Sequence, residues 1–193
     1  MSRTSPAFVL GYHGCDAGVA EQVFSGGSLR ASSNVYDWLG KGVYFWEADP
    51  DRAMFWAEEQ KLRGRISEPA VVGAIIDLGK CLNLSTHEGA GLAKDAYQAY
   101  CQLRDGEGKP LPQNTNPRGL SGPDRLLRKL DNAIISQVHH SLKQAGIEPF
   151  DTVRAMFREG DPIYPDAGFW QKTHVQIAVR NMDCIIGYFR TRR

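Results

Sequence analysis

Short apolar runs alternate with amphipathic stretches along this 193-residue chain. Residues 8–12 predict a strand that leads into His13-Gly14. Asp16 is placed to cap a helix over 17–24, with Val19, Val23 and Phe24 on one face and Ser25-Gly26-Gly27-Ser28 as its stop. Residues 29–37 are polar and turn-rich and read as a loop. Val43-Tyr44-Phe45-Trp46 is β-branched and aromatic, a strand, and Asp49-Pro50 opens a helix that carries Ala53, Phe55, Trp56 and Ala57 to about Arg65. Residues 70–77 predict a buried strand, which Cys81 to Leu84 extend past Gly79, and 92–103 predict a helix. Residues 105–123 hold four glycines and four prolines and predict no regular structure. Asp124 is expected to cap a helix to about Gln144, because Leu126, Leu130, Ile134, Val138 and Leu142 recur at every fourth position. Residues 153–157, 175–179 and 184–190 read as further strands. Strands and helices in this mixed order predict an α+β fold, not a regular βαβ alternation.

Composition narrows the class. The length suits one domain over 1–193, with 42% hydrophobic and 23% charged residues. A formal charge of +1 excludes a bulk polyanion binder but permits a local basic groove. Residues 104–129 hold six Lys or Arg against three Asp or Glu, a surface that can track a nucleic-acid backbone or simply face water. No apolar run approaches the roughly 20 residues that span a bilayer, and the first residues lack a secretory apolar core, so a cytoplasmic protein without membrane contact is expected. The four cysteines form no CxxC pair, which argues against structural zinc and against a disulfide framework. His139 and His140 are adjacent and cannot share a helix face, so no metal is expected there.

The candidate chemistry lies in three places. A His at a strand end beside Gly, as in His13-Gly14, combines a hydrogen-bonding ring with a backbone that a planar amide can approach. Gly40-Lys41-Gly42 enters an aromatic strand and suggests close backbone approach with Tyr44 or Phe45 stacking on a ligand. In the late strand, period two puts His174 and Gln176 on one face. Glu159, after an apolar strand, is a further carboxylate that could reach a cleft.

Taken together, GYHG, SLRASSNVYDWLGKGVYFW and DPDRAMFWA resemble the NAD-binding half of the ADP-ribosyltransferase superfamily, in the branch of diphtheria-type toxins and poly(ADP-ribose) polymerases. The likeness is specific over residues 9–58 and weak over 66–150. It implies a split mixed β-sheet with flanking helices, a helical insertion around 85–145, and NAD as co-substrate. It implies that His13 holds the adenosine-side ribose, Gly14 the carboxamide, and Arg30 the diphosphate or adenosine. Gly42, Tyr44 and Phe45 match the second motif; Phe55, eleven positions after Tyr44, matches the second nicotinamide-stacking aromatic. Asp51 and Arg52 stand where the family often has a Ser on the nicotinamide amide. Gln176 looks like the third triad member, giving H-Y-Q in place of H-Y-E, as in bacterial members of the fold.

Glutamine retains a hydrogen bond but loses the charge that would stabilise a cationic ribose, and it cannot serve as a general base. His174 or Glu159 would then take that role. The reaction implied is transfer of ADP-ribose to a macromolecule, protein or nucleic acid, in a bacterial toxin or defence effector. An inhibitory partner protein would leave no trace in this chain. NAD hydrolysis, and an inactive module that reads NAD, ADP-ribose or nucleic-acid ends, are the alternatives. RNA 2′-phosphotransfer, the chemistry of an H-H branch, is disfavoured by Tyr44.

Overall fold

A computed structural model describes residues 8–119 and 122–192. A seven-stranded mixed sheet carries four helices. Its strands are β1 (Phe8–Asp16), β2 (Val43–Glu47), β3 (Pro69–Asp77), β4 (Cys81–Asn83), β7 (Thr152–Phe157), β8 (His174–Val179) and β9 (Ile185–Arg190). β5 (Asn114–Thr115) and β6 (Leu127–Arg128) make a separate small hairpin. The sheet order is β4-β7-β8-β2-β1-β3-β9, antiparallel except for β4 with β7.

Alternation along the strands sorts two cores. On one face α1 (Ala17–Phe24) buries Ala20 and Val23 against Phe45, Val72, Ala74, Ile76 and Ile177. On the other, α3 (His87–Gly106) and α4 (Lys129–Gln144) pack on Val153, Ala155 and Ala178, with Leu39 between. α2 (Pro50–Leu62) lies on this second face too, over Trp46 and Val71. Asp16 caps α1 as expected, accepting from Gly18 N at 3.0 Å.

Two expected elements differ. Residues 81–84 do not prolong β3. The chain turns at Gly79, whose φ of 57° and close approach to Asp151 (a Cβ would lie 2.6 Å from Oδ2) require glycine. β4 then pairs with β7 at the opposite edge of the sheet. α4 begins at Lys129, not after Asp124. Its first amides are satisfied from outside, by Asn114 Oδ1 accepting from Leu130 N (2.9 Å) and Asp131 N (3.3 Å). Asp124 instead accepts from Gly160 N at 3.2 Å, and Leu126 lies outside the helix. The loop expected over 105–123 thus contains β5, and its Asn114 is the long-range cap.

Candidate functional site

The two halves of the sheet meet at a narrow seam. β1 and β2 pair only through Gly11–Glu47 and Tyr12–Trp46. Beyond that point β1 continues with β3 as far as Asp16–Pro69, while β2 continues with β8 as far as Val43–Val179. The strands therefore part at the level of Gly14 and Tyr44. Leu10 O accepts from Ala48 N at 2.8 Å on the β2 side. Two-residue alternation turns the backbone groups of Tyr12 and Gly14 to the same side, so Gly14 presents its amide and carbonyl to the opening. A Cβ on Gly14 would run into the carbonyl of Ala53 in α2, so only glycine lets the helix lie this close.

His13 bridges the parting strands. Its Nδ1–H donates to Tyr44 O at 2.8 Å, which leaves Nε2 as an acceptor. Burial lowers its pKa and keeps the ring neutral. Tyr44 is held at both ends of its hydroxyl, donating to Gly40 O (2.7 Å) and accepting from Leu39 N (3.0 Å). Burial raises its pKa far above the usual tyrosine range, so it offers a fixed ring and no titrating proton.

Gln176 lies on the same face as Tyr44, opposite Trp46 in the β2–β8 register. Trp38 Nε1–H donates to its Oε1 at 2.6 Å. An indole can only donate, so this bond fixes which end of the amide is oxygen and leaves the NH2 as a donor. His174 sits two residues earlier, buried against Phe157 (5.5 Å between ring centroids) and Trp46 (6.3 Å). Its Nδ1–H donates to Lys172 O at 2.7 Å, and burial pulls its pKa down to about 4.

Glu159 is buried and ion-paired, with Oε2 2.9 Å from Arg52 Nη2 and Oε1 4.0 Å from Lys172 Nζ. The Arg52 guanidinium stands 5.7 Å from the Trp46 ring centre and 5.5 Å from that of Phe55. Its Nε and Nη1 are buried without a hydrogen-bond partner. Phe55 is otherwise exposed, with Lys172 Nζ 4.9 Å from its ring centre.

Gly14, Tyr44, Gln176, His174, Glu159 and Phe55 thus line one face or its rim, and His13 closes the seam. Three expected ligand-binding residues do not join them. Phe45 is fully buried on the opposite face, where it packs 5.8 Å from the His13 ring, because alternation separates it from Tyr44. Gly42 uses both backbone groups on Ser32 (2.8 and 3.0 Å), and a Cβ there would lie 2.8 Å from Val179 O. Arg30 is exposed after α1, with no hydrogen bond or ion pair to the cluster among the described residues. Cys15, beside the His-Gly pair, has its thiol pushed up to about 11 by burial and is not a nucleophile.

Two side chains escaped the sequence reading. Trp38 stands in a polar loop with no periodic signal, and its partner is 138 residues away. Arg52 was visible only as a departure from the family pattern. Beyond Trp38 a cavity of about 660 Å³ lies between α3, α4 and the end of β7; it reaches neither Gly14, Tyr44, Phe55 nor Gln176. Among the described residues no group of three or more His, Cys, Asp or Glu could hold a metal, and no helix is long and apolar enough to cross a membrane. No protein-family model, curated protein or solved structure matches the chain.

Proposed function

We propose that this protein is an NAD-dependent ADP-ribosyltransferase built on the split-sheet fold of that superfamily. The observation that carries the reading is the parting of β1 from β2 at Gly14, with Tyr44 and Gln176 on one face of the opening and Phe55 on α2 at its rim. The amide and carbonyl of Gly14, turned to the side where β2 parts from β1, suit a carboxamide. Tyr44 and Phe55 supply aromatic faces for a pyridinium ring. His13, neutral with a free Nε2, suits a ribose hydroxyl.

In the reaction the nicotinamide–ribose bond breaks and nicotinamide leaves with the bonding pair. The acceptor's nucleophilic atom bonds to the ribose carbon and releases its proton. Gln176 orients the ribose, using the NH2 and the second lone pair of an oxygen that Trp38 already holds. Glu159 is engaged in its ion pair with Arg52. His174, neutral with Nε2 unprotonated, is the better proton acceptor, though a weak one at a pKa of about 4. An acceptor that is already nucleophilic suits this site best.

The test is incubation with NAD labelled on its adenylate, with separate pools of protein, RNA and DNA. Label fixed to one pool, and lost in Tyr44→Ala and Gln176→Ala, is expected. Free ADP-ribose with no labelled pool points to NAD hydrolysis instead. One observation favours a module that reads ADP-ribose without chemistry: the Arg52 guanidinium lies over Phe55, where nicotinamide would stack. Measurable ADP-ribose binding with no nicotinamide released from NAD in any pool overturns the transferase reading in favour of that module.

A further inference from the structure

We propose that the cavity between α3, α4 and the end of β7 binds an unpaired base of a single-stranded nucleic acid. The walls are aromatic: Trp38, Tyr97, Phe157 and Trp170 all line it. Tyr97 is exposed at 41% and Trp170 is half-buried, so both offer ring surface to a visitor. The volume, about 660 Å³, falls within the roughly 300–1,000 Å³ of small-ligand sites.

The charges separate a base from an apolar side chain. Arg158 is exposed and lies 3.9 Å from the Trp170 ring centre, and no carboxylate pairs with it among the described residues. It is therefore free to meet a phosphate beside a base stacked on that indole. Arg128 lies 4.5 Å from the Phe157 ring centre. Its Nη1 faces Asp131 and its Nη2 donates to Asp124 O, but its buried Nε has no partner. Arg128 is thereby fixed as a cationic wall of the cavity, a charge that suits a nucleotide and not a leucine or phenylalanine side chain.

Both carboxylates on the wall are already engaged. Asp131 accepts from Asn114 Nδ2 (2.8 Å) and Arg128, and Asp124 accepts from Gly160 N (3.2 Å). The Asp131 charge is offset by Arg128, and Asp124 is turned onto the Gly160 amide. The bases of a duplex are stacked and paired inside it, so a cavity that stacks a base selects single strands.

Binding here needs no NAD and does not rest on the transferase reading. Trp38 lines this cavity and also holds Gln176, so the two places share one side chain. The test is fluorescence anisotropy without NAD, at about 50 mM salt. The probes are fluorescein-labelled single strands of DNA and of RNA about 12 nucleotides long, and the matched duplex. Either single strand is expected to bind more tightly than duplex. Trp170→Ala should weaken it by about tenfold, one base-stacking contact, and Arg158→Ala should weaken it and reduce the salt slope by about one phosphate contact. Lys61→Ala, exposed near the end of α2 and outside the cavity lining, should not, and unfolding midpoints of the variants check that they remain folded. No binding of either strand, equal binding of duplex, or binding unchanged in both Trp170→Ala and Arg158→Ala overturns the proposal. Failure of NAD labelling leaves it standing, and its own failure leaves the transferase reading untouched.

Discussion

Trp38 and Gln176 show how one hydrogen bond can decide what a residue does. A glutamine on a strand face has two usable ends, and only the indole donor assigns them. Trp38→Phe keeps most of the packing against Phe157 (4.8 Å between centroids) but removes the donor. It leaves a half-buried carbonyl oxygen without that partner, at an expected cost of about 1–3 kcal/mol. Urea unfolding reads this as a lower midpoint at unchanged slope. On the transferase reading, labelling should fall as well, because the amide is then free to rotate.

Two contacts position α2 over the seam. The first is the approach of Gly14 to Ala53. Gly14→Ala has to push the helix away from β1, and a loss of about 1–3 kcal/mol is expected, as for overpacking in a core. The thermal midpoint measures it. The second is the ion pair between Arg52 on α2 and Glu159 beyond β7, with each side chain about 10% exposed. Glu159→Leu leaves Arg52 buried and uncompensated, at an expected cost of about 3 kcal/mol or more. Arg52→Leu combined with Glu159→Leu should recover most of that loss, since a well-packed apolar pair can replace a buried ion pair. A double variant no more stable than Glu159→Leu would show that the charge pair is not the source of the loss.

The whole molecule should be acid-sensitive through its burial-shifted histidines, His13 among them. His139 on α4 and His174 on β8 each have their pKa lowered from 6.5 to about 4, chiefly by burial. Arg180 and Lys80 add to this at His139, and Arg52 at His174. The unfolded chain therefore binds more protons than the native one between these values, and stability rises with pH across that window. It should be flat above about pH 6.5 and fall as the pH drops towards about 4. His139→Leu removes one of these histidines and should make the decline shallower in urea titrations at pH 4.5 to 7, values set by the same window. Asp16, held below its usual range by the amides of Gly18, Ser67 and Glu68, adds its own loss only at lower pH.

Local pattern alone determined most of the elements. β2, α1, α2 and β8 follow from alternation, from caps at Asp16 and Asp49, and from Pro50, because each depends on neighbours within a few residues. The same holds for the shared face of His174 and Gln176, a consequence of strand pleat. Pairing between distant segments decided the rest. Whether residues 81–83 lengthen β3 or pair at the far edge depends on β7, which lies about 70 positions on. The start of α4 depends on an asparagine 16 positions before Leu130. Phe45 and Tyr44 are neighbours in sequence, yet which of them faces the cleft depended on where the helices settle. Trp38, Arg52 and the aromatic cavity acquire their chemistry only from partners brought by the fold, and a linear sequence carries no signal for a contact spanning more than a hundred residues.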